Sequence, residues 1–464
     1  MKDERQILLD TTGESTYRAV RADIIAGRQP PRARLRLDGL RQRYGASVAT
    51  LRECLNRLAG EGLVLAEGHR GFAVAPVTQD EFCELAILRD VLEGHALRKS
   101  FARGDLDWEG RVVGAHHKLE AIEREMLAGN RSRSELWKRY DKEFHHTLIS
   151  ACDSPELLAA HCGVFDRYLR YQIVAVIFRG EAAATEHRAL LQAALNRDAD
   201  AGAAILTRHI TACVEHTMAA GTLDPGPAVM GVAQQDDTVG STVFRQIRDD
   251  ILSGRLAPGL KLRLESLRTT CGASVSTLRE VLNRLATERL VTAEGQRGFE
   301  VAPVSAVNLQ DLAHLRHLLE SRAMEDSFRN GDVEWESQIL AAWHKLAAIE
   351  ARIETGDRSQ IDTWKRYDLE FHQALISACG SLSLRWLHDS VLNRYLRYQM
   401  VALSFRNAVS ASEHRALLDA ALARDATAAS EILSAHLSGG VQHALDSGTL
   451  DAAAGRSGHF VPGR

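Results

Sequence analysis

An aspartate and a histidine stand four residues apart in the segment WKRYDKEFH, and the same spacing returns in WKRYDLEFH 227 residues later. On a helix this spacing places a carboxylate and an imidazole on one face. Two further histidines follow in each copy, and the separation between them is also unchanged. The complete candidate set is Asp141, His145, His187 and His209 in the first copy, and Asp368, His372, His414 and His436 in the second.

One carboxylate and three imidazoles suit a divalent ion such as Zn²⁺, Ni²⁺ or Mn²⁺, and they leave coordination positions open for water or a ligand carboxylate. A single Asp–His pair on a helix is more often a solvated or structural pair, and a lone buried histidine is usually a core residue. The recurrence of all four residues with unchanged spacing favours a metal site, one in each copy.

The repeat covers nearly the whole chain of 464 residues, which indicates a tandem duplication of a complete protein. The composition, 45% hydrophobic and 25% charged, is that of a soluble globular protein. The first residues form no apolar signal region, and no apolar run approaches the roughly 20 residues of a membrane span. We therefore expect a cytoplasmic protein without membrane contact, and the seven cysteines imply no disulfide framework.

The net charge of −4 conceals two basic regions. Residues 15–77 carry a net +6 and residues 242–304 a net +3, so the remainder of the chain is acidic. Two basic regions in an acidic chain are expected when those regions contact a polyanion.

The first basic region has the pattern of a winged helix. An amphipathic helix from Tyr17, a short helix over Asp38–Tyr44 and a third over Val48–Gly60 are followed by two apolar-alternating runs around a basic tip. Ser47 is placed to cap the third helix. The second basic region repeats this plan, and both are followed by helical periodicity that predicts six or seven helices.

The predicted fold class is therefore mainly α, with two copies of a winged helix-turn-helix followed by an all-helical bundle. Helices are expected over 79–103, 107–127, 134–152, 155–178, 182–197 and 199–220 in the first bundle. The predicted domains are 13–77 and 242–304 (winged helices), 78–221 and 305–448 (helical bundles), 222–241 (a flexible linker) and 449–464 (a tail).

The winged-helix segments LRECLNRLAGEGLV and GFAV, followed by D-x-x-x-H, E-H and a late histidine, resemble the FadR-type branch of the GntR superfamily of transcriptional regulators. The resemblance covers both copies and implies an FCD ligand-binding domain that holds a small carboxylic acid through the metal. Arg89 and Arg316 could clamp that acid or could form internal ion pairs with Glu93 and Glu320. Relatives act as homodimers, so an intramolecular pseudo-dimer is expected, with further homodimerisation possible.

Arginine suits the O6 and N7 atoms of guanine and asparagine suits the N6 and N7 atoms of adenine in the major groove. The predicted base contacts are Arg52 and Asn56, with Arg279 and Asn283 in the second copy, and Arg57 and Arg284 are expected to face outward beside them as further DNA-binding residues. Arg36 and Arg263 are expected to bind phosphates, and Arg70 and Arg297 at the wing tips to enter the minor groove. Many relatives carry Arg and Pro where this chain has Val48 and Thr50, and Val275 and Thr277, so one base contact is absent.

These patterns predict a DNA-binding regulator that is not an enzyme, controlled by an organic acid. One alternative is a metal-dependent hydrolase in which the cluster activates water, with Glu186 and Glu413 as the nearest candidate bases. Another is an architectural DNA-binding protein whose histidines bind nothing. Metal analysis and a substrate panel separate these classes.

Overall fold

Helices dominate both halves of the chain in the computed structural model, as the periodicity predicts. The structure describes residues 12–67, 71–174, 178–228, 239–293, 298–402, 406, 408–448 and 450. The chain divides into two compact units, Met1–Gln234 (unit 1) and Gln235–Arg464 (unit 2). Each unit contains a small antiparallel sheet and a helical bundle, which confirms the expected fold class.

The winged helix of unit 1 combines three helices with a β-hairpin. Its elements are α1 (Thr12–Ile25), α2 (Leu37–Tyr44), α3 (Val48–Gly60), β1 (Val64–Ala66) and β2 (Phe72–Val74). Gly45 ends α2 with a φ of 66°, a left-handed conformation that glycine adopts without a Cβ clash. The Ser47 hydroxyl then accepts a 3.1 Å hydrogen bond from the Thr50 amide and caps α3, as predicted.

The face of α3 that packs inward is set by its leucines. Leu51, Leu55 and Leu58 are fully buried and share one core with Ile24 of α1. Because these leucines occupy one side of the helix, Arg52 on the other side is exposed.

Unit 2 repeats the winged helix and adds a third strand that the sequence did not reveal. Its elements are α10 (Val239–Leu252), β3 (Lys261–Leu262), α11 (Leu264–Cys271), α12 (Val275–Thr287), β4 (Val291–Ala293) and β5 (Phe299–Val301). The strand β3 pairs antiparallel with β5, so the sheet order is β3-β5-β4. In unit 1 the equivalent segment forms a single bridge between Arg34 and Ala73. Two-residue strands leave no alternating pattern to detect, which is why a simple hairpin was predicted.

Six α-helices form the bundle of each unit in the described ranges, together with one 3₁₀ turn. In unit 1 they are α4 (Gln79–Arg103), α5 (Leu106–Leu127), α6 (Ser134–Leu148), α7 (Pro155–Val174), α8 (Glu181–Leu195) and α9 (Ala199–Ala220). In unit 2 they are α13 (Ala306–Asn330), α14 (Val333–Glu354), α15 (Ile361–Leu375), α16 (Leu382–Ala402), α17 (Ala408–Leu422) and α18 (Ala426–Asp446). The 3₁₀ turns are Arg131–Arg133 and Arg358–Gln360.

The bundle packing brings distant segments of sequence together. In unit 1, α4 packs against α7 and α9, and α5 packs against α6 and α8. Unit 2 repeats these contacts, with α13 against α16 and α18 and α14 against α15 and α17. Helices that are far apart in sequence therefore share one interior, which is where the candidate metal ligands lie.

The helix α6 ends earlier than predicted, at Leu148 instead of Cys152. The Cys152 amide donates to the Ile149 carbonyl, three residues back, and Asp153 takes a φ of 54°. The residue before Pro155 is also disfavoured in the helical region. The apolar period therefore continues beyond the point at which the backbone leaves the helix.

The start of the predicted linker lies against its own unit. Leu223 is buried, and the Asp224 carbonyl accepts a 3.0 Å hydrogen bond from the Gln79 amide. Residues 229–238, the middle of that linker, lie outside the described residues, as do residues 451–464 of the tail. Among the described helices none is long and apolar enough to cross a membrane, and all seven cysteines are free.

Candidate metal centres and DNA-binding surface

Three helices of unit 1 bring the four predicted metal ligands together. The helix α6 supplies Asp141 and His145, α8 supplies His187, and α9 supplies His209. All four are buried, and one candidate ligand atom from each lies within 4.8 Å of the others. The imidazole centroids of His187 and His209 are 4.9 Å apart, close enough for both rings to reach one ion.

Unit 2 reproduces this cluster with nearly the same geometry. Asp368 and His372 come from α15, His414 from α17 and His436 from α18. These four are also buried, with candidate ligand atoms within 4.8 Å of one another. The centroids of His414 and His436 are again 4.9 Å apart. The structure thus brings together all eight residues predicted from the repeat, in two separate clusters.

Each histidine of unit 1 is oriented by a glutamate on the side away from the cluster. His145 Nδ1 lies 2.5 Å from Glu93 Oε1, His187 Nδ1 lies 2.7 Å from Glu123 Oε1, and His209 Nδ1 lies 2.7 Å from Glu186 Oε2. A carboxylate on Nδ1 fixes the ring and leaves Nε2 as the ligand atom, which is the usual arrangement of metal-binding histidines. In unit 2 the same contacts are made by Glu320, Glu350 and Glu413.

The atoms that face the centre of each cluster are poorly satisfied by the protein. In unit 1 the Nε2 atoms of His145 and His187 are buried and have no hydrogen-bond partner. In unit 2 the same holds for Nε2 of His372 and His414 and for both carboxylate oxygens of Asp368. His187 Nε2 and His414 Nε2 nevertheless lie 3.4 and 3.1 Å from Oδ1 of Asp141 and Asp368, as charge contacts without hydrogen-bond geometry. Buried polar atoms normally have hydrogen-bond partners. Nitrogen and oxygen atoms that converge on one point without such hydrogen bonds are suited to act as ligands of a divalent ion.

Burial and neighbouring carboxylates set the protonation states in the cluster. Burial lowers the pKa of His187, but contacts with Asp141 and Glu123 outweigh it and raise that pKa to about 9. Burial lowers the pKa of His209 to about 3, although Glu186 opposes the shift. Burial would raise the pKa of Asp141, but His187 and His145 hold it well below its usual range. The surrounding carboxylates therefore favour positive charge at the centre.

A buried arginine adjoins each cluster. In unit 1, Arg89 Nε donates to Glu93 Oε2 at 2.7 Å, and its Nη2 lies 3.1 Å from His145 Nδ1. In unit 2, Arg316 Nε donates to Glu320 Oε2 at 2.8 Å. The predicted internal Arg–Glu pairs are therefore present. Even so, Nη1 of Arg89 and both Nη atoms of Arg316 have no hydrogen-bond partner, which leaves donors for a ligand.

The third helix of each winged helix, α3 or α12 (the candidate recognition helix), carries the predicted base-reading pair on its outer face. Arg52 and Arg279 are exposed, and Asn56 and Asn283 are half-buried one turn further along. Arg36 and Arg263 are exposed at the N-caps of α2 and α11. Arg70 and Arg297, predicted at the wing tips, lie outside the described residues.

Two arginines predicted to face outward, Arg57 (side chain 40% exposed) and Arg284 (exposed), also make contacts within their winged helices. Arg57 pairs with Glu14 at 2.8 Å, and its guanidinium lies 3.5 Å from the centroid of the Tyr17 ring. Arg284 stacks in the same way on Phe244, at 3.8 Å. The sequence did not predict these contacts. Helical periodicity shows on which face of the helix a residue lies, but not which residue of another helix packs against that face. Both arginines hold the first helix of the domain against the recognition helix.

Several residues of the sites were not predicted as such. Glu123 and Glu350 come from α5 and α14, which carry none of the candidate ligands. Lys138 is also buried near the first cluster, where burial lowers its pKa to about 8 despite Asp141. A search for polar residues repeated at the 227-residue offset would have found Glu123 and Lys138, because Glu350 and Lys365 match them.

Comparison with known proteins accounts for both parts of each unit. The FCD domain matches residues 84–212 and 311–439, and the gntR family of bacterial regulatory proteins matches residues 12–74 and 240–301. The HTH-type transcriptional regulator BphR of Paraburkholderia xenovorans is 37% identical over 214 residues, which are 45% of this chain and 85% of BphR.

The HTH-type transcriptional repressor GlaR of Escherichia coli is 32% identical over 201 residues, 42% of this chain and 90% of GlaR. The solved structure of McbR/YncC from E. coli covers 45% of this chain and 98% of its own, at 20% identity and a TM-score of 0.39. BphR and GlaR thus each match about half of this chain, as a duplication requires. The chain belongs to the gntR family of DNA-binding transcriptional regulators and carries the winged helix and the FCD domain of that family twice.

Proposed function

We propose that this regulator binds its operator under the control of a small organic acid, which binds in each helical bundle through a divalent metal ion. The observation that carries the proposal is the pair of buried Asp-His-His-His clusters. Their Nδ1 atoms are held by glutamates, and in each unit two of the Nε2 atoms form no hydrogen bond with the protein. A donor set of this type suits Zn²⁺, Ni²⁺ or Mn²⁺.

Four protein ligands leave room for an exogenous carboxylate on the ion. The buried guanidinium groups of Arg89 and Arg316 supply charged donors beside each cluster, and arginine binds carboxylates well because its N–H groups match their geometry. The bound ion would hold the acid, and these arginines would orient it.

The DNA-binding part of the proposal rests on Arg52 with Asn56 and on Arg279 with Asn283. Each pair lies on an exposed helix face in a basic region, with Arg36 and Arg263 placed for phosphate contacts. A protein that reads DNA acts where the chromosome is, so we propose a cytoplasmic location.

We also propose that the clusters are binding sites and not catalytic centres. Glu186, the nearest candidate base in unit 1, is bound by Arg179 and by His209. Burial raises its pKa, but these two contacts outweigh burial and lower it to about 2. A carboxylate held in this way is a poor proton acceptor near neutral pH. Screening Zn²⁺-loaded protein against a panel of esters and amides tests this point, and turnover abolished by His187→Ala would contradict it.

The decisive experiment compares metal-loaded and chelator-treated protein on the same DNA. An operator is first selected from a random-sequence library with purified protein, and binding is then titrated with small carboxylic acids such as acetate and malate. We expect an acid to change operator affinity only when metal is bound. An unchanged acid response after complete metal removal would contradict metal-mediated effector control.

One chain contains two recognition helices, so we propose that one chain supplies both readers of one operator. Light scattering of the complex should then give the mass of one chain, 51.1 kDa, plus the DNA. A protein mass twice that value, either free or on the operator, would show that chains pair with chains.

A further inference from the structure

The first turns of the two candidate recognition helices, α3 and α12, differ at one position. Residues 47–53 read SVATLRE and residues 274–280 read SVSTLRE, so the difference is Ala49 against Ser276. Both helices begin in the same way, because in each the capping serine accepts a 3.1 Å hydrogen bond from the amide three residues later. A side chain at the differing position therefore starts from the same place on either helix.

This position lies on the outer face of its helix, beside the arginine that is predicted to read bases. Ala49 and Arg52 are both exposed, as are Ser276 and Arg279, and residues three apart on a helix are neighbours on one face. The leucine before each arginine is fully buried, so the helix is anchored by its inner face. In a helix-turn-helix the N-terminal residues of the recognition helix contact base edges. The residue at this position is therefore placed at the surface that meets the major groove.

Ala49 offers only a methyl group to DNA. It has no side-chain donor or acceptor, so it cannot distinguish bases by hydrogen bonding. Thymine carries a C5 methyl group at its major-groove edge, and alanine makes apolar contact with that group. The chemistry of Ala49 therefore favours thymine.

Ser276 offers a hydroxyl group that is already oriented. Its Oγ lies 2.8 Å from Oγ of the capping residue Ser274, so a hydrogen bond within the first turn of α12 holds the side chain in place. A hydroxyl group has one donor and two acceptor lone pairs, and this bond uses one of the three. The remaining capacity is available to a base edge, because Ser276 is exposed. Serine can bond to several bases, so Ser276 does not need the thymine methyl group.

We propose that this residue makes the two halves of the operator unlike. The half bound by unit 1 has a thymine whose methyl group contacts Ala49, and the half bound by unit 2 has no such preference at the equivalent base pair, where Ser276 binds a base edge. The inference rests on the proposed reading of one operator by both helices of one chain. The base-reading arginine and asparagine are the same in both units, so the two halves should match at the base pairs that those residues read.

Deoxyuridine tests the methyl contact directly, because it pairs as thymine does and lacks only the methyl group. In the selected operator, the half-site of unit 1 is the half in which Arg52→Ala relaxes sequence preference, and each thymine there is replaced in turn. We expect one replacement to weaken binding of the full-length protein by about three- to fourfold, the contribution of one buried methyl group. In the Ala49→Ser protein the same replacement should have no effect. Thymines contacted by other residues, such as the exposed Val48, should keep their response and serve as the control.

The reciprocal variant should create the preference in the other half. Ser276→Ala should enrich thymine in the half-site of unit 2, as measured with a library of operators that carry single base changes. Both variants should fold normally, because each places in one helix the residue that the other helix carries at the same position. Neither substitution changes the charge, so the dependence of operator affinity on salt should remain that of the wild type.

The outcomes separate the inference from the function beneath it. The inference is overturned if both half-sites carry the same base pair at every equivalent position, or if the half-site of unit 1 contains no thymine whose methyl effect disappears in Ala49→Ser. Either result leaves operator reading by the two helices intact. If instead neither Arg52→Ala nor Arg279→Ala alters sequence preference, the proposed reading by these helices is wrong, and the inference is overturned with it.

Discussion

The two units keep their candidate metal-ligand clusters alike and differ around them. Asp141 Oδ1 lies 3.9 Å from His145 Nε2, and the equivalent atoms of Asp368 and His372 are also 3.9 Å apart. The glutamates behind the histidines are retained as well. Residues that merely fill a core tolerate exchange for others of similar volume, whereas ligand atoms must keep both their type and their position. The comparison therefore teaches that the clusters are the constrained part of each bundle.

The attachment of the winged helix to the bundle shows the opposite behaviour. In unit 1 the buried carboxylate of Asp166 accepts from Arg21 of α1 at 2.8 Å and also binds Lys142 of α6. In unit 2 the positions of Asp166 and Lys142 are occupied by Asn393 and Leu369. Arg248, which corresponds to Arg21, is retained in unit 2 and pairs with Glu288 at 2.9 Å, so the aspartate and the lysine changed together while the arginine did not.

The largest expected effect tests whether the two clusters are equivalent. His187→Ala/His209→Ala removes two of four ligands in unit 1 and should weaken metal binding there by at least about 100-fold, since even loss of a residue that orients a ligand costs 10–100-fold. Elemental analysis should fall from two ions per chain to one. The matched variant His414→Ala/His436→Ala should give the same result.

Fewer than one ion per wild-type chain, after purification without chelator, would remove the basis for this comparison. Loss of both ions in either variant would instead show that the two sites are coupled.

The second largest effect is expected from substitutions on the proposed DNA-binding surfaces of the two units. Arg52→Ala and Arg279→Ala should each weaken operator binding by about 1–3 kcal/mol, the value of one good bidentate base contact. Each change should relax sequence preference in one half of the operator only. Binding to a library of operators with single base changes measures this, and uniform weakening across all sequences would identify the arginine as a phosphate contact.

A smaller effect is expected when the contact of Asp166 with Arg21 and Lys142 in unit 1 is broken. Asp166→Asn leaves Lys142 without its buried carboxylate and should destabilise the attachment of α1 by about 2 kcal/mol, less than for a fully buried pair because Arg21 and Lys142 are partly exposed. Hydrogen exchange of amides in α1 and α7 should accelerate accordingly.

The residue pair found in unit 2 provides the control. Asp166→Asn/Lys142→Leu recreates the combination of unit 2, in which the arginine is kept, and should recover most of the lost protection. If the double variant exchanges as fast as the single one, the protection depends on the contact between Asp166 and Arg21, which both variants break, and not on the unpaired Lys142.

The sequence predicted much of the fold because the duplication supplies an internal control. Asp141 and His145 were found from a spacing of four that occurs twice, and Ser47 was found because a cap needs only a local pattern. Glu123 and Glu350 were not assigned to the site, although the repeat contains both. Glu123 contacts His187 from a helix about 60 residues earlier, and no local spacing links the two. Tertiary packing decides such contacts, as it decides that Arg57 lies on Tyr17.

The smallest expected effect concerns packing beside the cluster helices. Gly202 of α9 lies so close to α4 that an added Cβ would be 2.8 Å from Cε2 of Phe101 and 3.1 Å from Cδ2 of Leu97. Unit 2 has Ala429 at this position, with Phe328 conserved but Met324 in place of leucine. Methionine is unbranched and adapts to irregular space, which explains how the alanine is accommodated.

Gly202→Ala should therefore destabilise unit 1 by about 1 kcal/mol, because overpacking costs about 1–3 kcal/mol while the gain in helix propensity returns about 0.5–1 kcal/mol. Calorimetry should show a decrease in Tm of about 2–4 °C in the transition of unit 1. Adding Leu97→Met should restore the wild-type Tm, because the unbranched side chain can move away from the new methyl group. An increase in Tm for Gly202→Ala alone would mean that the Phe101 ring moves aside without loss of stability. Packing would then not explain why unit 1 has glycine where unit 2 has alanine.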